Sequence, residues 1–304
     1  MDILVGYTGF VGSNIAAHKK FDGLYNSSNI RDAYGTRPDL CVYAGMRAEK
    51  FLANKDPEGD MAMTDAAFRN ITEINPRRLV LISTVDVLKV PKGAVETDPN
   101  DISGLDPYGY DRAVLENRCR EAFDNCHIIR LPALFGKNIK KNFIYDMINY
   151  IPSMLNGRKY AELSDASPLI RASYELLPNS FYKLIPECDR QALKSEFRRV
   201  GFSALMFTDS RARYQYYDLS FLWNHTEKVI EKNIPLFHAA VEPVSAAEIY
   251  EAVTGQAFVN EISESPICYD FRTIYDREFG GADGYIFDRQ KVIDAVRAFV
   301  GDRI

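Results

Sequence analysis

The stretch that most constrains how this chain can fold is GYTGFVG, residues 6–12, close to the N-terminus. An apolar run, Ile3-Leu4-Val5, precedes it. A segment with apolar residues at helical spacing, VGSNIAAHKKF, follows. A strand, a turn built on three glycines and then a helix is the context in which such a triplet reads as a phosphate loop. Gly6 supplies a residue free to take positive φ in the tight turn. Gly9 lets a backbone approach closely, and Gly12 lets the helix pack near the strand. The first-turn N–H groups and the positive dipole end of the helix then suit a pyrophosphate. Residues 6–12 therefore predict a dinucleotide-binding loop, with Thr8, Phe10 and Val11 as its remaining cofactor-contacting members.

The rest of the first half supports that setting. GLYNS (23–27), DLCVYAG (39–45), RLVLIST (78–84) and CHIIRLPALFG (126–136) read as strands. They alternate with helical stretches at 60–73 and along PYGYDRAVLENRCREAF. The strands are near-continuous apolar runs, as expected for a parallel sheet covered on both faces, so the pattern predicts an α/β, doubly wound domain. The second half is less regular. NFIYDMINYI (142–151) suggests an amphipathic helix. EPVSAAEIYEAVTG suggests a capped one, with Ser245 at the N-cap, Glu248 completing a capping box and Gly255 just past the end. Residues 163–205 are irregular in pattern apart from a helical piece near DRQALKSEFRRV, and a substrate lid is their expected role. The expected division is residues 1–140 for the dinucleotide domain and 141–304 for a smaller, mostly helical substrate region. A strand near 213–218 is expected to return to the first sheet.

The bulk properties narrow the function. A formal net charge of -5 with no basic block argues against nucleic acid as a partner. The five cysteines are scattered and never spaced C-x-x-C, and His18, His127, His225 and His238 are isolated, so no disulfide framework or metal site is expected. No apolar run reaches the ~18 residues of a membrane span, and the first residues lack a signal-peptide pattern. A cytoplasmic protein without a membrane partner is expected. At the end of the second strand the acidic residue that would grip the ribose of NAD is missing. Asn26, Ser27 and Ser28 stand there with Arg31 close behind. Small polar residues and an arginine suit the extra phosphate of NADP, with NAD as the alternative.

Taken together, these pieces resemble the extended short-chain dehydrogenase/reductase family, in the branch acting on nucleotide sugars. Gly6, Gly9 and Gly12 match its GxxGxxG spacing. CVYAGM is similar to the segment beside the cofactor, with Ala44 and Gly45 in the small positions. LISTVDV looks like the strand ending in the catalytic Ser or Thr, which places Thr84 there. PYGYDRAVLE is similar to the Tyr-x-x-x-Lys helix, with Tyr108 and Arg112 at the pair, and IIRLPALFG resembles the strand and turn that approach the nicotinamide through Leu131 and Pro132. Asn142 of NFI, and Arg211 or Arg213 of SRARYQYYDLSFLW, look like its sugar-nucleotide contacts.

The resemblance implies a Rossmann-type fold, an NADP or NAD cofactor, a nucleotide-sugar substrate and a homodimer. It implies an oxidoreductase or epimerase in which Tyr108 is general acid or base at the reacting oxygen and Thr84 assists. Arg112 would take the lysine's work of holding the ribose and favouring the phenolate of Tyr108. The chemistry is sound, because a phenol is a poor base at neutral pH without a fixed positive charge nearby.

Two departures stand out. Arg112 keeps the charge but is larger and planar. Val85 and Asp86 follow Thr84 where dehydratases of this branch carry Asp-Glu, which argues against dehydration. The rival reading is a catalytically silent NADP-binding sensor or scaffold of the same fold.

Overall fold

The computed structural model describes residues 1–99 and 101–303. They form two compact units. The first comprises Met1–Ile139, Arg213–Val244 and Cys268–Ala295; the second comprises Lys140–Ala212, Ser245–Ile267 and Val296–Ile304. A single boundary at 140 therefore describes only the first crossing of the chain, because two later segments return to the first unit.

The first unit is built on a six-stranded sheet. Its strands are β1 (Asp2–Val5), β2 (Gly23–Tyr25), β3 (Leu40–Tyr43), β4 (Leu79–Thr84), β5 (Cys126–Leu131) and a late strand, Leu236–His238. Their order is β2-β1-β3-β4-β5 and then Leu236–His238, with every pair parallel. The expected strand near 213–218 is present as Tyr216–Asp218, but it pairs with β6 (Ala133–Phe135) outside this sheet. The sixth place belongs to Leu236–His238, a short run with no distinctive period of its own.

The inner strands are buried on both sides, whereas the edge strand β2 is only partly covered. Ile3, Cys41, Leu79, Leu81 and Ile128 share one cluster with Ile71 and Ile74 of α3 (Pro57–Ile74) and Leu115 and Cys119 of α4 (Pro107–Ala122). The alternate residues Leu4, Val42, Val80 and Ile129 are also fully buried. Burial on both faces is why the strands read as unbroken apolar runs.

Because β1 leads first to β2 on one side and the chain then crosses to β3 on the other, the strand order reverses between β1 and β3. A crevice at the carboxyl ends of those strands is where open α/β sheets bind ligands.

Helix α4 is fixed by two buried ion pairs. Tyr108, Arg112 and Glu116 recur every four residues and so lie on one face. Glu116 accepts from Arg130 of β5 at 2.6 Å and from the Ser83 hydroxyl of β4 at 2.6 Å, which ties the helix to the sheet. Arg112 pairs with Asp60, which ties it to α3.

The second unit has its own core, formed by Leu155, Leu163, Ile170, Tyr174, Leu193 and Phe197. The stretch expected to be irregular is ordered. Helices Gly157–Ala166, Pro168–Ala172 and Arg190–Arg199 accompany a three-stranded antiparallel sheet of Met154–Asn156, Phe181–Leu184 and Tyr174–Leu176. Helix Arg190–Arg199 is the helical piece expected near DRQALKSEFRRV; the three short strands and helix Pro168–Ala172 are too brief to carry a periodic signature. Helix Ala246–Thr254 has the expected caps: Ser245 and Glu248 form the reciprocal capping box, and Gly255 takes the left-handed conformation. Among the described residues, no helix is long and apolar enough to cross a membrane.

Candidate active site

The glycine loop occupies the point where the strand order reverses. Gly6 has φ of 89°, and a Cβ there would stand 2.4 Å from the Ala44 carbonyl oxygen and 2.9 Å from the Gly45 Cα. A Cβ on Gly12 would stand 2.1 Å from the Gly6 oxygen. Any side chain at either position would force apart the ends of β1 and β3 or lift α1 (Phe10–His18) from the loop. Gly9 is the N-cap of α1, and the helix has no side-chain cap and no acidic residue in its first turn. The first-turn N–H groups are thus left for an anion. Past β2, Asn26 Oδ1 accepts from the backbone N–H and the hydroxyl of Ser28. Ser27 and Arg31 are exposed. This chemistry fits a dinucleotide: a cradle that any Cβ would fill, a helix end free of acid, and a cation near the place of the second ribose.

Thr84 ends β4 and caps the short turn Val85–Val87 by accepting from the Asp86 N–H at 3.2 Å. Tyr108 is the second residue of α4 and is 6% exposed. Thr84 is among the side chains that act on its phenol. Gly109 lets α4 approach the 85–87 turn closely, because a Cβ there would sit 2.2 Å from the Asp86 carbonyl oxygen. Helix α4 is therefore in backbone contact with the 85–87 turn at the residue after Tyr108. Sequence reasoning passed over Gly109; a glycine inside a helical pattern was the available sign.

Arg112 is 4% exposed, and three of its five N–H donors are engaged. Nη1 donates to Asp60 Oδ2 at 2.7 Å, and Nη2 donates to Asp60 Oδ1 at 3.2 Å and to the Arg47 carbonyl at 2.8 Å. The guanidinium also lies 4.5 Å from the centre of the Tyr108 ring. The arginine expected to hold a ribose is thus a fork on a buried carboxylate, stacked on the tyrosine it was expected to tune. Burial pushes the Tyr108 phenol above its ordinary value; Arg112 and the Thr84 hydroxyl pull it back, while Asp86 and Asp60 push it further up.

A polar cluster the motifs did not reveal adjoins Thr84. Asp86 Oδ2 accepts from the Thr84 hydroxyl at 3.2 Å, and Oδ1 accepts from Lys50 Nζ at 2.9 Å and from the Tyr269 hydroxyl at 3.2 Å. Lys50 opens α2 (Lys50–Lys55) and also pairs with Asp106 at 3.1 Å. Burial opposes the charge on Lys50 more than any one partner favours it, but Asp86, Tyr269 and Asp106 together outweigh it and hold the ammonium above its ordinary range. Tyr269 is pushed up to about 12 by burial and then by Asp86. These residues come from distant parts of the chain, so no local spacing could announce them.

The other expected site residues fall as follows. Leu131 ends β5 and is buried, and Pro132 is half-buried. Arg213 is half-buried and donates to the Pro243 carbonyl at 3.2 Å, while its own carbonyl accepts from the Tyr269 N–H at 3.1 Å. It therefore neighbours the residue that reaches Asp86. In the second unit, Asn142 caps helix Phe143–Asn149 by accepting from the Tyr145 N–H. Arg211 is engaged by Asp209 at 2.9 Å, Glu261 at 2.9 Å and the Ser263 carbonyl at 2.6 Å. His127, His225 and His238 are buried in hydrogen bonds to the Ile234 carbonyl, the Tyr217 hydroxyl and the Arg272 carbonyl, in keeping with structural roles.

No family model and no curated protein matches the sequence. Solved structures do match in fold along nearly the whole chain. The dTDP-4-dehydrorhamnose reductase of Bacillus anthracis, solved in complex with NADP, aligns with a TM-score of 0.63 at 15% identity, covering 98% of this chain and 96% of its own. The dTDP-4-dehydrorhamnose reductase of Yersinia enterocolitica aligns with a TM-score of 0.64 at 13% identity, covering 100% and 99%. The UDP-N-acetylglucosamine 4-epimerase of Methanobrevibacter ruminantium, in complex with UDP-N-acetylmuramic acid, gives 0.62 at 10% identity, covering 97% and 95%. The chain has the fold of these nucleotide-sugar reductases and epimerases, the branch of the extended short-chain dehydrogenase/reductases that its motifs resemble.

Proposed function

We propose that this protein is an NADP-dependent oxidoreductase or epimerase acting on a nucleotide-linked sugar, with Tyr108 as general acid or base and Thr84 assisting at the reacting oxygen. The observation that carries this reading is that Thr84, at the carboxyl end of β4, and Tyr108, in the first turn of α4 where Gly109 abuts Asp86, stand on the sheet that also bears the glycine cradle. Likeness of fold to an NADP-bound nucleotide-sugar reductase supports the same reading.

Gly6, Thr8, Gly9, Phe10, Val11 and Gly12 would hold the pyrophosphate. Asn26, Ser27 and Arg31 would hold the second ribose and its phosphate. Ala44, Gly45, Leu131 and Pro132 would line the way to the nicotinamide. When bound, the nicotinamide supplies the hydride chemistry. The chain's own residues orient the reacting oxygen: Thr84 and Tyr108 offer two hydroxyls to one atom, in a setting partly closed to water. Arg112 positions Tyr108 by stacking on its ring, with its charge damped by Asp60. Arg213, beside Tyr269, is the substrate contact in this unit.

The test is a fluorescence titration with NADPH and NADH, followed by a panel of nucleotide sugars with turnover monitored. Tighter binding of NADPH, turnover of at least one sugar and its loss in Tyr108→Phe are the expected results. Binding without turnover of any sugar, unchanged in Tyr108→Phe, would establish the rival sensor or scaffold. No binding of either cofactor would remove the glycine-loop reading altogether.

A further inference from the structure

We propose that Asn54 and Lys50 are positioning residues: from α2 they cap and hold the start of α4, so that segment 46–55 sets the place of Tyr108 and dinucleotide binding beside that segment is transmitted to Tyr108. This rests on the functional reading above for the roles of Tyr108 and the dinucleotide, and it deepens that reading by naming the element that links them.

A helix begins with N–H groups that have no partner within it, and the side chain of the residue before it ordinarily accepts one of them. Asp106 stands at that place before α4 and is by type a good cap, yet its side chain makes no such bond. Its carboxylate is turned to Lys50 Nζ at 3.1 Å instead. Pro107, the first helical residue, has no N–H to satisfy, so the first donor of α4 is the backbone N–H of Tyr108. That N–H donates to Asn54 Oδ1 at 3.2 Å. The cap of the helix that carries Tyr108 is therefore supplied by another helix, 54 residues earlier in the chain.

Two more polar contacts tie the same segment down. The Arg47 carbonyl accepts from Arg112 Nη2 at 2.8 Å. Lys50 also donates to Asp86 at 2.9 Å, on the turn against which Gly109 packs. Apolar packing adds little to α2. Ala53 is its one buried residue, and Phe51 and Leu52 are exposed. An ordinary helix is held by an apolar face; this one is held by its polar bonds to α4 and to the 85–87 turn.

The two ends of the segment give it its role. At one end the chain leaves β3 through Ala44 and Gly45, whose backbone lies so close to Gly6 that a Cβ there would meet both. At the other end, α2 runs straight into α3 through Asp56, which closes the first helix and caps the second. Segment 46–55 thus begins against the glycine cradle and ends on the start of α4. An element with few buried contacts shifts at low cost. A dinucleotide seated on the cradle and against Ala44 and Gly45 moves the segment, and Asn54 carries that movement to Tyr108.

The test follows the Tyr108 amide in the whole protein. Tyrosine is labelled with 15N, the Tyr108 signal is identified by its loss in Tyr108→Phe, and its hydrogen exchange is measured with and without NADPH. Asn54 is exposed, so replacing it disturbs no core packing. Asn54→Ala should speed exchange of the Tyr108 amide by about fivefold, the effect of removing one cap of ordinary strength. Asn54→Asp should restore protection, because a carboxylate oxygen accepts the same N–H and its charge suits a helix N-terminus. NADPH should displace the Tyr108 signal in the native protein and in Asn54→Asp, and much less in Asn54→Ala. Its affinity should stay within about fivefold of native, because coupling through one contact cannot exceed what that contact supplies. Unchanged exchange in Asn54→Ala, or no recovery in Asn54→Asp, overturns the cap. A full NADPH response in Asn54→Ala overturns the link to the dinucleotide. Failure of NADPH to bind would refute the functional reading and the link with it, while the exchange result decides the cap by itself.

Discussion

The Arg112–Asp60 pair makes the most exacting prediction. The two side chains are 4% and 3% exposed, and the guanidinium makes two carboxylate contacts and one to a carbonyl. Replacing Arg112 with Met leaves Asp60 a buried carboxylate beside Asp111 with no cation, and removing one partner of a buried pair costs about 3–5 kcal/mol. Replacing both, as Arg112→Met with Asp60→Leu, should recover most of that loss, because an apolar pair of similar volume needs no compensation. Arg112→Lys should cost about 1–3 kcal/mol, since an ammonium keeps one contact but cannot span both carboxylate oxygens and the Arg47 carbonyl. Urea denaturation of the four proteins measures these values, with NADPH titration alongside. The committed fork predicts that Arg112→Lys changes stability more than cofactor affinity. If it leaves stability unchanged while NADPH binding weakens tenfold or more, then Arg112 works on the cofactor and the clamp is misassigned. A loss under about 1 kcal/mol for Arg112→Met would refute burial of an uncompensated charge.

Other predictions follow from the same geometry. Gly109→Ala should destabilise the protein and displace Tyr108 despite the better helix propensity of alanine, because its Cβ would lie 2.2 Å from the Asp86 backbone oxygen; a calorimetric scan with no fall in Tm would contradict that contact. Gly12→Ala should abolish NADPH binding while the fold survives by circular dichroism, since the added carbon would stand 2.1 Å from the Gly6 oxygen. Asp111 is held up at about 6 by burial and by the neighbouring Asp60 carboxylate. An acid with a raised folded pKa favours its protonated form in the native state, so its contribution is fully present below about pH 4 and is lost as pH rises to about 6. Asp111→Asn should therefore flatten the pH dependence of Tm across that window and raise Tm above it; identical profiles for the two proteins would refute the assignment. Lys50→Met removes two ion pairs at a lysine side chain that is 45% exposed, each costing no more than about 1 kcal/mol; a loss above about 2 kcal/mol in urea denaturation would mean that Lys50 supports the fold as well as the site.

Much of the molecule was written locally. Gly6 and Gly12 announced the β1–α1 turn because only a residue without a Cβ fits there. The apolar runs announced the parallel sheet because strands covered on both faces have no polar alternation. Ser245, Glu248 and Gly255 announced a helix with both its ends, because capping acts over three or four residues. Thr84 and Tyr108 were legible because each stands at a fixed distance from such a marker.

What the tertiary structure alone decided lies in contacts between elements. Arg112 meets Asp60 across 52 residues, Lys50 meets Asp86 across 36, and Tyr269 meets Asp86 across 183. No periodicity records such pairings, because they depend on how helices and strands dock and not on how each forms. The sequence by itself determined that a tyrosine and an arginine share one face of a helix near a threonine. Only docking against α3 and the 85–87 turn decided that the arginine is bound to a buried aspartate, and that Asp86 gathers Lys50 and Tyr269 beside the threonine.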